Sequence, residues 1–173
     1  MNKEIADRTY LALKYLYLNA KDLQNEKVIS YLRETQPLAY AKEFCTIKLS
    51  TARRSGHSSA IARFVNEHYS KNWAIISYNQ NMSERNIENV SKNSGNNIYK
   101  ATKSYIEFTK DKESGKTIFT SFNSFDRDLR GIELDGIIID CASMLTKKKI
   151  KSLYEVGMSC MARKQYQFFI FIE

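Results

Sequence analysis

Gly136-Ile137-Ile138-Ile139-Asp140 sets three consecutive isoleucines between a glycine and an aspartate. A strand with one wet face alternates apolar and polar side chains. Three β-branched apolar residues in a row need both faces covered, as in a parallel sheet between helices. Trp73-Ala74-Ile75-Ile76-Ser77-Tyr78 and Gln167-Phe168-Phe169-Ile170-Phe171-Ile172 read the same way, and Phe44-Cys45-Thr46-Ile47-Lys48-Leu49 is a shorter β-prone run. Between these lie helical stretches: Ala60 to Val65, Ser83 to Val90 with Ser83 as its N-cap, and Lys147 to Met161. Ile5 to Leu18, rich in Leu, Ala and Tyr, predicts a helix buried on much of its surface. Tyr105 to Thr109 and Thr117 to Phe122 read as a hairpin around a turn at Lys112 to Lys116, and Ser91 to Asn97 as a loop. Strands alternating with helices predict an α/β fold with a mostly parallel sheet.

With 173 residues, 43% hydrophobic and 27% charged, six glycines and one proline, the chain is neither disordered nor collagen-like. It is too short for two full domains, and a domain this long buries about 70% of its unfolded surface, so it needs no disulfide or structural metal to fold. Cys45, Cys141 and Cys160 are odd in number and widely spaced, which excludes a disulfide framework or CxxC site and fits a reducing compartment. The charged start and the lack of a long apolar run predict no signal peptide and no membrane partner, hence a cytoplasmic location. The net charge of +8 and pI near 9.3 suit a polyanionic partner such as nucleic acid, or simply a solvated basic surface. Lys147, Lys148 and Lys149 open a helix, where they are either a phosphate-contact patch or a solvated face. The Tyr and Phe side chains within strands and helices are read as core.

The polar segment Thr51-Ala52-Arg53-Arg54-Ser55-Gly56-His57-Ser58-Ser59 joins a strand to a helix, where backbone N–H groups and a helix N-terminus can face phosphate. Its register approaches GxxxxGK[ST], with Gly56 as the second glycine, His57 in the lysine position and Ser58 as the hydroxyl on Mg²⁺. Asp140 at the end of a buried strand is the matching metal ligand, or else a plain strand-end cap. His57 and His68 are the only histidines, too few and too isolated for a zinc site or a Ser-His-Asp triad.

Taken as a series, these motifs resemble the ATPase domain of the large terminase subunit that packages DNA into phage and herpesvirus heads. Leu32-Arg33-Glu34-Thr35-Gln36 is similar to the family's adenine-recognising glutamine motif, with Gln36 20 residues ahead of Gly56. Arg53-Arg54-Ser55-Gly56 looks like the family's arginine-rich phosphate loop. Thr120-Ser121-Phe122, Leu129-Arg130-Gly131 and Asp135 to Asp140 resemble the strand, arginine-glycine and Walker-B series. The resemblance covers Tyr31 to Glu173, so residues 1–30 are expected to be a helical segment packed on a three-layer P-loop NTPase-like domain at 31–173. It implies a nucleotide site of Gln36, Arg53, Arg54, Gly56, His57, Ser58 and Ser59, with Mg²⁺ on Ser58 and Asp140. ATP and Mg²⁺ are the implied cofactors, and double-stranded DNA and other packaging or replication proteins the implied partners. No nuclease domain is expected within these residues.

Two departures bear on mechanism. His57 replaces the phosphate-binding lysine, leaving Arg53 or Arg54 to supply a permanent charge. Cys141 replaces the glutamate that orients the attacking water, and reads equally as a small buried hydrophobe; Glu133 or Asp135 would have to stand in. Three readings follow: a terminase-like ATPase with impaired hydrolysis, a non-catalytic nucleic-acid- or protein-binding module on the same fold, and a nuclease using Asp135, Asp140 and nearby lysines.

Overall fold

The computed structural model describes residues 3–25, 27–51, 56–110 and 113–173. In chain order the elements are α1 (Lys3–Leu23), α2 (Lys27–Thr35), α3 (Pro37–Phe44), β1 (Thr46–Leu49), α4 (His57–Glu67), β2 (Trp73–Ser77), α5 (Gln80–Asn93), β3 (Ile98–Ala101), β4 (Tyr105–Lys110), β5 (Glu113–Ser121), α6 (Phe125–Asp128), β6 (Gly136–Asp140), α7 (Lys147–Cys160) and β7 (Phe169–Ile172). The strands form one sheet in the order β1-β7-β6-β2-β5-β4-β3. From β1 to β5 every pairing is parallel, and β4 and β3 extend the sheet antiparallel.

Side-chain alternation divides the apolar runs between two cores. Ile47, Leu49, Trp73, Ile75, Ile138, Ile170 and Ile172 face α1, α4 and α5, whereas Ala74, Ile76, Ile137, Ile139, Phe169 and Phe171 face α3, α6 and α7. The isoleucine run is therefore buried on both sides, as its composition requires. Tyr10, Leu13, Tyr17 and Ala20 recur at helical spacing along α1 and dock it on the first face. There the Tyr17 ring lies 4.5 Å from Phe168 and 5.2 Å from Phe64, and burial pushes its phenol up to about 12.

Several local expectations are corrected. α5 opens at Gln80, one turn earlier than predicted, because Asn79 is extended and its Oδ1 accepts from the Met82 N–H at 3.0 Å; Ser83 is buried inside the helix. Phe44 ends α3, which Pro37 opens, so β1 starts only at Thr46. The stretch from Ser91 continues α5 to Asn93 and then makes a 3₁₀ turn. Gly115 lies within β5 opposite Phe108, where a Cβ would come within 2.2 Å of the Tyr69 carbonyl oxygen. That close approach keeps Gly115 in the sheet, and the hairpin turn tightens to residues 111–112, outside the described residues.

Candidate functional site

β1 and β6 are separated by β7, and the segment leaving β1 enters α4, which packs on β6. The β1–α4 connection and the end of β6 therefore share the carboxyl edge of the parallel strands, the usual place for ligands in such sheets. Gly56 sits just before α4 with φ +80°, a conformation glycine adopts without penalty, and its carbonyl accepts the Ala60 N–H at 2.9 Å. His57 is the first residue of α4, and its Nε2 hydrogen-bonds the Thr51 hydroxyl. Burial lowers the His57 pKa below its ordinary 6.5 and the Asp140 carboxylate only partly opposes this, so the imidazole is neutral at pH 7. Ser58 and Ser59 follow in the first turn, partly exposed. Arg53 and Arg54 lie outside the described residues.

Asp140 is 2% exposed. Its Oδ2 accepts from Asn86 Nδ2 at 2.9 Å, and the same amide nitrogen donates to Ser77 Oγ at 3.0 Å. The other oxygen, Oδ1, meets only the Cys141 thiol among the described residues, at 3.8 Å. Asn86 comes from α5 and Ser77 from the end of β2, so three elements fix one carboxylate. Sequence reasoning passed over both residues; Ser77, a polar residue ending an apolar strand, was the one available signal. Cys141 takes a left-handed conformation, φ +62°, uncommon for a residue with a Cβ, and turns the chain sharply out of β6. Burial, then the neighbouring Asp140 charge, pushes its thiol up to about 11, so it stays protonated and cannot act as the water-orienting base.

Other sequence candidates lie elsewhere. Asp135 precedes β6 and binds the Asn72 N–H at 2.8 Å, with Lys164 at 3.5 Å. The five residues of β6 put it about 16 Å from Asp140. Glu133 pairs with Lys164 at 3.4 Å. Neither can stand in for a base beside Asp140, and a nuclease centre joining Asp135 to Asp140 is excluded by the same separation. Among the described residues no cluster of His, Cys, Asp and Glu could hold a metal by itself. Gln36 is exposed at the α2–α3 junction, and among the described residues no hydrogen bond links its side chain to the β1–α4 segment. Nearby, Arg33 donates to the carbonyls of Ala162, Lys164 and Gln165, which ties α2 to the segment before β7. Lys147 and Lys148 are exposed in the first turn of α7; Lys149 is held 3.6 Å from Asp126.

A shared carboxyl edge, a helix entered through a left-handed glycine and a buried strand-end aspartate two strands away define a P-loop NTPase-like fold. It is the fold of phage large terminase ATPase domains. The large terminase of a thermophilic bacteriophage superposes with a TM-score of 0.56 at 14% identity, over 84% of this chain and 37% of that one. The Thermus phage P74-26 large terminase ATPase domain gives 0.54 at 16% identity, over 73% and 58%. The first of these terminases, in complex with ADP, gives 0.53 at 15% identity, over 84% and 37%. The chain thus spans well under two thirds of these relatives. No protein-family profile and no curated protein matches it in sequence. No described helix is long and apolar enough to cross a membrane.

Proposed function

We propose that this chain is a terminase-like nucleotide-binding domain of a viral DNA-packaging or DNA-handling machine, binding ATP with Mg²⁺ and hydrolysing it slowly or not at all. The observation that carries the reading is the Asp140 carboxylate, buried and oriented by Asn86 across from the N-terminus of α4. Mg²⁺ favours one or two protein oxygens completed by phosphates and water. Asp140 Oδ1, which no nitrogen or hydroxyl occupies among the described residues, and the Ser58 hydroxyl fit that need. The metal would neutralise phosphate charge there. The backbone N–H groups at the start of α4 serve the phosphates. Neutral His57 adds no fixed charge, so Arg53 and Arg54 are assigned that role and Gln36 the adenine. Protonated Cys141 leaves water unactivated, which favours binding over turnover.

Titration with ATP and Mg²⁺, alongside a phosphate-release assay with and without double-stranded DNA, tests this. Wild type is expected to bind without appreciable release, Arg53→Ala to bind about 10- to 150-fold more weakly, and His57→Ala to change less. His57→Lys with Cys141→Glu should gain release. Absence of ATP binding would overturn the nucleotide assignment in favour of a non-catalytic module; brisk release unaffected by Cys141→Ala would overturn the role given to that position.

A further inference from the structure

A second concavity opens on the carboxyl edge of the sheet, beyond Asp140. Its volume is about 340 Å³, enough for one nucleotide, and its walls come from the segments that leave β2, β5 and β6. Tyr78, 42% exposed, stands edge-on to Phe122, with ring centroids 6.0 Å apart at 87°. Met144, 54% exposed, faces this concavity from the turn after Cys141. These exposed apolar groups lie beside the first turn of α7, where Lys147 and Lys148 have no carboxylate partner among the described residues. Lysines at a helix N-terminus oppose the macrodipole, and no acidic residue in that turn offsets them.

We propose that this groove binds single-stranded nucleic acid, with an unstacked base against Tyr78 and Met144 and the flanking phosphates on Lys147 and Lys148. Charge selects a polyanion, and the open aromatic wall selects one with exposed π-faces; a duplex keeps its bases stacked on one another and offers the groove only its backbone. The inference rests on these strand-end segments and does not require a nucleotide near Asp140.

The test is fluorescence anisotropy with a labelled oligothymidylate and a duplex of equal length across a salt series, with an ATP titration run on the same protein. Tyr78→Ala should weaken the single strand roughly 5- to 150-fold and leave its salt slope unchanged, while Tyr78→Phe retains affinity. Lys147→Gln with Lys148→Gln should flatten the slope by about 1.4, the value for two lost phosphate contacts. A photoreactive iodouracil in the oligonucleotide should cross-link within 78–79 or 144–146. Failure of wild type to bind the oligonucleotide at low salt, full affinity in Tyr78→Ala, cross-links confined elsewhere, or duplex binding that is tighter than single-strand binding would each overturn the proposal. Loss of ATP binding alone would leave it standing and count against the nucleotide site instead.

Discussion

Replacing Asn86 by Ala removes the one amide that ties Asp140 to α5. Asn86, Ser77 and Asp140 are each at most 2% exposed, so water cannot take over the lost contacts without entering the core. The 2.9 Å bond to Asp140 is a hydrogen bond to a carboxylate, worth about 1.5–3 kcal/mol, and the 3.0 Å bond to Ser77 is a neutral one, about 0.5–1.5 kcal/mol. Asn86→Ala should therefore lower unfolding free energy by about 2–4 kcal/mol. Part of that cost is the buried carboxylate left unpaired, so a double-mutant cycle with Asp140→Ala separates the pair from the rest. The coupling expected from urea unfolding of wild type, both single variants and the double variant is about 1.5–3 kcal/mol. If the effects of the two single changes add to within about 0.5 kcal/mol, the two side chains act independently, and the account of a carboxylate positioned by α5 fails. In the same variant, weaker Mg²⁺-dependent ATP binding is expected, because the carboxylate is free to rotate.

His57 and His68 both have pKa values lowered by burial, so below about pH 6.5 the unfolded chain binds protons that the folded chain refuses, and stability falls as pH drops. Urea midpoints measured at pH 7.5 and 5.5 should differ less for His57→Gln than for wild type; an equal difference would refute the assignment of that imidazole. Gly157→Ala places a Cβ 2.4 Å from Phe169 Cε1 and 2.9 Å from Ile137 Cδ1, in a packed core where the ring has no room to withdraw. Overpacking of about 1–3 kcal/mol outweighs the roughly 1 kcal/mol that alanine gains in a helix, so thermal unfolding should come at lower temperature. An unchanged or higher midpoint would show that α7 can shift away from the sheet.

The amino-acid sequence by itself determined the parts of this protein whose physics is local. The apolar runs of β2, β6 and β7 could be satisfied only by burial on both faces, and the polar stretch from Thr51 to Ser59 between a strand and a helix marked the edge where a ligand belongs. What it left out were short elements with no period to read, such as α2, α3 and β3, and the contacts made across the chain. Asn86 and Asp140 are 54 residues apart, and nothing in either neighbourhood announces their hydrogen bond. Likewise Tyr78 reads as one more core aromatic until the order β6-β2-β5 carries three strand ends to one groove and leaves the ring open to solvent. Only the tertiary structure decided the charge state of His57 and the protonation of Cys141, because desolvation is set by everything packed around a group rather than by its neighbours along the chain.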